Sequence, residues 1–424
     1  MLFRILYRTF IRLYILILHL AAPFRSKARL MLEGRKRLLG EVSVAFKRVQ
    51  EPVAWFHCAS LGEFEQGRPV MEGLRERYPE YKILITFFSP SGYEVRKNYL
   101  GADFVYYLPF DLPVSVRAFV AAVHPAMVVV VKYEFWYFLL HCLSRRHVPL
   151  FLISGIFRPG QVFFRPWGRL YRSVLHTFTH LFVQDEKSRD LLRGIGILNV
   201  TVSGDTRFDR VYEISRYPQI ADLVEEFCAG APVMVVGSLW PEDLRVLLPL
   251  IREAPGGLKF VIAPHEVEEG GIRRLVQELG EGTLRYSTAG TTRADAFRIL
   301  VIDNVGMLSS LYRFGVVAYV GGAFGEGLHN ILEPAACGVP VFFGRSRSNA
   351  KYREAGELLA AGGAFEVSEA SELRSGVRRL LEDPAEQKRA SEAGLHYVLA
   401  RKGATSTILN GIDHLLQHVR RFGH

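Results

Sequence analysis

Two consecutive series of short apolar runs, each alternating with helical stretches, constrain this chain more than any other feature. The first series is VAWFHCA (53–59), KILITFF (82–88), DFVYYLP (103–109), AMVVVVK (126–132), VPLFLIS (148–154) and HLFVQD (180–185). The second is APVMVVGS (231–238), KFVIAPH (259–265), FRILVID (297–303), VVAYVGG (316–322) and PVFFG (340–344). Runs that are apolar on both faces need helices on both sides, so the pattern predicts parallel α/β sheets. Helices are expected over 63–78, 90–99, 113–123, 134–146 and 165–177, then over 241–252, 268–279, 305–313, 328–337, 350–360 and 370–382. At 424 residues the chain exceeds one compact core. The reading is therefore a basic N-terminal segment (1–40), a Rossmann-like domain (41–211) and a second one (212–424). VTVSGDTRFDRV (200–211) and a polar helical connector (212–230) join them. Two such lobes facing a cleft would bind donor and acceptor on opposite sides.

The formal net charge of +10 raises the question of nucleic acid, and its location answers it. Residues 1–50 hold eleven Lys/Arg against Glu33 and Glu41, a net +9, which leaves +1 for the other 374 residues. The body therefore carries no polyanion-binding charge. Cys58, Cys142, Cys228 and Cys337 lie far apart with no CxxC pair, against a disulfide framework or structural zinc.

The N-terminal text LFRILYRTFIRLYILILHLAAPF (2–24) is apolar and aromatic, but Leu13 to Phe24 is its longest uncharged run. That is short of the roughly 20 residues of a spanning helix. Arg4, Arg8 and Arg12 recur at i, i+4, i+8 and share one helical face opposite Leu and Phe side chains. The pattern describes a helix lying in a membrane interface, with the basic stretch Arg25 to Arg37 attracting anionic lipid. A cleaved signal peptide would want a longer apolar run and a cleavage site without dense arginine downstream. A short anchor helped by snorkelling arginines is the other alternative.

Ligands of open α/β sheets sit beyond the carboxyl ends of strands, so the residues following each run matter most. Ser60-Leu61-Gly62-Glu63 is a glycine turn opening a helix, and Glu63 there either complements the helix dipole or serves as a general base. Ser89-Pro90-Ser91-Gly92 is a short polar turn able to hold an anion. Glu134 stands beside Phe135 and Trp136, aromatic faces that suit a sugar or a lipid headgroup but equally pack on a sheet. In the second series, Gly237-Ser238, Pro264-His265 and Gly321-Gly322 end strands, followed by His329, Asn330 and Glu333 on an expected helix. Glycines there admit a phosphate close to backbone, and Glu333 could accept ribose hydroxyls. The text is neither GxGxxG nor GxxxxGK[ST], which disfavours a dehydrogenase and excludes a P-loop ATPase. A nucleotide-sugar site is the chemistry left standing. A soluble nucleotide-sugar epimerase would not need the amphipathic arm, and an interaction scaffold would not need Glu333.

Together these segments resemble the Kdo transferases, which move 3-deoxy-manno-octulosonic acid from CMP-Kdo onto lipid A precursors. The resemblance runs in order through His57-Cys58-Ala59-Ser60-Leu61-Gly62-Glu63-Phe64, Thr86 to Gly92, Glu134-Phe135-Trp136 and Gly204-Asp205-Thr206-Arg207-Phe208-Asp209. It continues in Val320-Gly321-Gly322-Ala323, His329-Asn330-Ile331-Leu332-Glu333-Pro334 and Asn349. Two departures stand out. Pro264-His265-Glu266-Val267-Glu268 lacks the two arginines usual in the family, leaving His265, Arg345 or Arg347 to contact phosphate. Lys132-Tyr133-Glu134 keeps only the last acid of the usual Glu-Thr-Glu. The resemblance implies the GT-B fold and an inverting, metal-independent transfer with no cofactor, with Glu63 as base. It assigns Ser60, Gly62, Ser89, Ser91, Gly92 and Glu134 to acceptor or donor-sugar binding. It assigns Gly237, Ser238, Pro264, His265, Gly321, Gly322, His329, Asn330, Glu333 and Asn349 to the nucleotide. The implied partners are CMP-Kdo, a lipid A precursor (lipid IVA) and an anionic membrane surface, on the cytoplasmic face of the inner membrane, with no nucleic acid.

Overall fold

The computed structural model describes residues 2–216 and 222–422. Residues 217–221 of the expected connector lie outside them, between the helices Thr206–Arg216 and Asp222–Cys228. The chain forms two compact units, one of Met1–Arg210 with Gly403–His424 and one of Val211–Lys402.

In the first unit the strands are β1 (Val53–Cys58), β2 (Lys82–Phe87), β3 (Phe104–Tyr107), β4 (Pro125–Val131), β5 (Leu150–Gly155), β6 (His180–Val183) and β7 (Val200–Val202). They form one parallel sheet in the order β3-β2-β1-β4-β5-β6-β7. The second unit has β8 (Val233–Leu239), β9 (Lys259–Pro264), β10 (Thr283–Arg285), β11 (Ile299–Val301), β12 (Val317–Val320), β13 (Val341–Gly344) and β14 (Ala364–Val367). These pair in parallel as β10-β11-β9-β8-β12-β13-β14. The reason both sheets are double-faced is visible in β4, where Met127 to Val131 are each 0% exposed because helices cover both sides.

The expected domain of residues 212–424 ends early. The helix Ala404–Phe422 returns to the first unit, where Ile408, Leu409 and Ile412 enter the core beside Val70, Leu74 and Phe182. Burying each such side chain contributes roughly 1.5–3 kcal/mol, which ties the chain's end to its beginning. Asp209 fixes the return, accepting from the backbone N–H of Gly403 (2.5 Å) and Thr405 (2.7 Å) and from the Thr405 hydroxyl (2.8 Å).

Residues 1–40 are likewise part of the first unit rather than a separate segment. The helix Leu2–Ala21 turns Ile11 and Leu18 inward, and the Tyr7 hydroxyl donates to buried Asp111 at 2.8 Å. Asp111 also accepts from Phe138 N and Leu139 N, and burial outweighs these bonds to push its carboxyl up to about 6. Leu6, Phe10, Leu13, Ile17 and Leu20 form a separate stripe, each more than half exposed. Among the described residues no single helix is long and apolar enough to cross a membrane; 3–21 and 26–36 pass only as a pair bent by 119°. Arg35, expected among the lipid-facing cations, is instead drawn inward by backbone acceptors. It donates to the carbonyls of Leu108 (2.7 Å), Phe88 (2.7 Å) and Met31 (2.9 Å).

Candidate functional site

In the first unit strand order switches between β1 and β4, and the segments leaving these strands diverge there, the place where an open sheet offers a crevice. Ser60 is extended as it leaves β1 and precedes the helix Leu61–Arg77. Its hydroxyl donates to Glu63 Oε2 instead of capping the helix, leaving Glu63 half-buried in the first turn. Gly62, next to it, is exposed, and a Cβ there would meet only the Ser60 hydroxyl, at 3.9 Å.

Behind this turn runs a buried polar chain. Trp55 Nε1–H donates to Thr86 Oγ1 at 2.7 Å, and His57 Nδ1 lies 2.9 Å from the same oxygen. The same Nδ1 lies 3.1 Å from the Thr86 carbonyl oxygen, so Thr86 holds this edge of the ring through two oxygens. On the other side of the ring, His57 Nε2 lies 3.1 Å from Glu134 Oε2, which accepts from it. Trp136 Nε1–H reaches that same oxygen at 2.8 Å. Glu134 is thus held by two donors at the end of β4. Lys132, two residues earlier, has φ 60°, a left-handed conformation that a lysine holds only when its surroundings impose it. Burial pushes the Cys58 thiol well up, and Glu63, Glu134 and Glu65 push it further. Both expected carboxylates therefore act on the end of β1.

The turn after β2 joins the same place, with Ser89 N–H donating to Ala59 O at 2.8 Å. Ser89 caps the helix Pro90–Arg96, accepting from Ser91 N, and the two hydroxyls are 3.0 Å apart. A side chain on Gly92 would collide with the Phe87 ring and meet the Ser60 carbonyl carbon at 3.0 Å, so this glycine lets the two turns close.

The second unit switches between β8 and β12. Ser238 takes a left-handed φ of 51° at the end of β8, and buried Asp243 accepts from Trp240 N (3.0 Å), Gly322 N (3.0 Å) and the Tyr319 hydroxyl (2.9 Å). Burial raises the Asp243 carboxyl against the pull of these donors. Asp243 was missed in the sequence because an acid in a first helical turn reads as an ordinary cap. Gly237 leaves room for the Tyr312 hydroxyl and Gly321 for Ser238 O and Asp243, so both serve close packing.

The expected helix 328–337 is shorter, Leu332–Ala336, so His329 and Asn330 precede it. Asn330 Oδ1 caps the start of this helix, accepting from Leu332 N at 3.2 Å. Asn330 Nδ2 also donates to Glu333 Oε1 at 3.0 Å. His329 instead joins a ring stack. Its ring centroid lies 4.5 Å from that of His265, which is 4.5 Å from Trp240 in turn. Trp240 Nε1–H donates to His329 Nε2 at 2.9 Å, and burial, then His265, holds the imidazole down at about 4. Pro264 ends β9 directly before this stack.

Asn349 is buried and donates to Gly344 O and Glu366 Oε1, both at 2.9 Å, while its Oδ1 has no partner. Of the cations considered for the missing arginines, Arg345 pairs with Glu366 at 3.2 Å. A cation outside that set lies beside the glycine turn. A side chain on Gly327 would meet Lys351 Nζ at 3.3 Å. Only its position three-dimensionally beside residues 321–327 marks Lys351, so no sequence signal could have found it.

A family profile described as "3-Deoxy-D-manno-octulosonic-acid transferase (kdotransferase)" matches residues 34–210. The chain is 29% identical to a 3-deoxy-D-manno-octulosonic acid transferase of Chlamydophila psittaci, covering 69% of each chain. It is 27% identical to that of Bordetella pertussis, covering 86% of this chain and 89% of the relative. In fold it resembles a UDP-GlcNAc 2-epimerase from Neisseria meningitidis (TM-score 0.58, 16% identity, 85% of this chain and 99% of that one). A glycosyltransferase from Rickettsia africae is also alike (TM-score 0.54, 11% identity, 88% and 100%). The two parallel seven-stranded sheets and these structural likenesses define the fold class, the two-sheet GT-B type. Within it the chain is a relative of the Kdo transferases along most of its length.

Proposed function

We propose that this Kdo transferase of lipopolysaccharide synthesis takes CMP-Kdo as donor and a lipid A precursor such as lipid IVA as acceptor, inverting the anomeric carbon with Glu63 as base. The observation that carries the reading is the half-buried Glu63, which takes the Ser60 hydroxyl in the first turn of its helix, at the switch point of the first sheet. In this mechanism the Glu63 carboxylate accepts the proton of an acceptor hydroxyl as that oxygen bonds to the anomeric carbon. The bond from that carbon to the donor phosphate breaks, and CMP departs with the bonding electrons. Glu134, fixed by His57 and Trp136, and the turn Ser89–Gly92 are assigned to sugar or acceptor contacts. On the second unit, Ser238, His265, His329, Asn330, Glu333 and Asn349 are assigned to the nucleotide. Lys351 takes the phosphate charge that the family's arginines would meet. No metal or cofactor enters the scheme.

The exposed stripe Leu6, Phe10, Leu13, Ile17 and Leu20 supports a helix lying in the membrane interface, on the cytoplasmic face of the inner membrane where an anionic lipid acceptor is at hand. Incubating purified protein with CMP-Kdo and a lipid A precursor, with mass spectrometry of the lipid, tests the reaction. Glu63→Gln should abolish transfer while CMP-Kdo binding stays near wild type. Turnover within about tenfold of wild type would sink the assignment of the base, since general-base catalysis contributes about 10²–10⁴-fold.

A further inference from the structure

One cavity of about 700 Å³ belongs to neither switch point. It lies on the first unit between the helices Leu2–Ala21, Pro113–Val123 and Tyr137–Arg145. Five arginines converge on it: Arg4 and Arg8 from the first helix, Arg117 from the second, Arg145 and Arg146 from the end of the third. His141 is the remaining polar group of note, with its Nδ1 on the Tyr137 carbonyl at 2.9 Å. No Asp or Glu lines the cavity, and buried Val116 and Phe138 supply apolar wall.

Such a gathering is unusual in this molecule. Arg68, Arg75, Arg77 and Arg96 of the same unit all pair with carboxylates. Among the described residues none of the five pocket arginines does. A helix C-terminus accounts for Arg145 and Arg146, since cations suit the last turn. It does not account for three further arginines brought from two other helices. All five are exposed, so water screens their mutual repulsion, and an anion seated among them would meet guanidinium donors from three helices at once. Guanidinium forks match phosphate oxygens in pairs, which makes phosphate the fitting anion.

The pocket's position selects the source of that phosphate. Arg4 and Arg8 lie on the same helix as the exposed stripe Leu6, Phe10, Leu13, Ile17 and Leu20, and Ile5, 42% exposed, lines the pocket itself. An acyl chain beside the stripe and a headgroup among the arginines satisfy both features at once. We propose that this pocket binds the phosphate headgroup of an anionic membrane lipid, anchoring the first unit at a defined orientation on the bilayer. The proposal rests on the interfacial reading of the helix Leu2–Ala21, and it adds a headgroup-selective site to a surface otherwise read as diffusely basic.

The test is flotation of the full chain with three vesicle types: phosphatidylcholine alone, and phosphatidylcholine carrying phosphatidic acid or phosphatidylserine at equal surface charge. A diffuse basic surface loses about fivefold in affinity per charge removed, whichever charge is taken. The wild type should prefer phosphatidic acid over phosphatidylserine by about tenfold, the scale of a charge-assisted pair. Arg145→Gln with Arg146→Gln should erase that preference. Arg25→Gln with Lys27→Gln, exposed and outside the pocket, should weaken both anionic vesicles alike and keep it. These four arginines and lysines are exposed, and an unchanged melting curve shows that each variant is folded.

No preference in the wild type, or its equal loss in both pairs, overturns the pocket. Binding of glycerol phosphate in solution as tight as that of phosphatidic acid vesicles overturns the lipid and makes a soluble phosphate the occupant. Leu13→Glu with Ile17→Glu separates the underlying reading. If that variant leaves vesicle binding unchanged while the phosphatidic acid preference persists, the interfacial stripe fails and the pocket stands.

Discussion

Both units carry a carboxylate a few residues beyond their switch-point strand, and the two acids live in opposite surroundings. Glu63, five residues past β1, is half-buried and takes the Ser60 hydroxyl. Asp243, four residues past β8, is 0% exposed and takes three donors. A proton acceptor must keep a lone pair for its substrate, whereas a saturated acid holds a fold together. The same topological position thus holds the proposed base in one unit and a staple in the other. Asp111 extends the contrast, since it too is buried under three donors, from Tyr7, Phe138 and Leu139.

The largest expected effects come from exchanging these roles. Glu63→Gln should cut turnover by about 10²–10⁴-fold and leave the unfolding midpoint in urea unchanged. Asp243→Ala should do the reverse in kind. It strands buried donors on Trp240, Gly322 and Tyr319, and should cost about 3 kcal/mol of stability by urea unfolding. If Asp243→Ala unfolds like wild type, the comparison breaks. Gly92→Ala and Gly321→Ala come next, each expected to cost about 1–3 kcal/mol through overpacking. The first should also lower turnover, by displacing Ser60. The second should weaken donor binding, which calorimetry with CMP-Kdo would read.

Asp111 predicts a pH slope. Its folded value, near 6, lies above the ordinary 3.8, so its protonated form is favoured in the fold. That contribution is present below pH 3.8 and is lost as pH rises through about 6. Asp111→Asn should remove a slope on the order of 2–3 kcal/mol across that window, followed by urea midpoints against pH. A second pH dependence, of opposite sign, concerns His329. Its folded value, near 4, means that stability from the neutral ring is present above pH 6.5 and is lost as pH falls through about 4. Proton NMR should find this imidazole neutral from pH 8 down to 5, and titration near 6.5 would contradict the buried ring stack.

Much of the architecture was legible because parallel strands announce themselves as continuous apolar runs. All eleven runs lie at observed strands. The three strands that escaped notice are β7, β10 and β14, short segments such as Thr283–Arg285 whose mixed polarity resembles a loop. The helix Ala404–Phe422 was not among the expected ones, and no local pattern names the unit on which its apolar face lands. Glu63 and Glu134 were findable from their place after strands, and His57 stood in the matched signature. The buried bonds that join His57 to Glu134 depend on register between β1, β2 and β4, which no local pattern carries. The same holds for the stack of Trp240, His265 and His329, drawn from residues far apart in the chain.

The clasp of Asp209 on Gly403 and Thr405 has a consequence for biosynthesis. A ribosome makes the second unit entirely between two parts of the first. The nascent sheet of β1 to β7 must therefore wait, with the seat of Ile408, Leu409 and Ile412 uncovered, until the last segment emerges. During that interval the incomplete core is open to chaperones and to proteases.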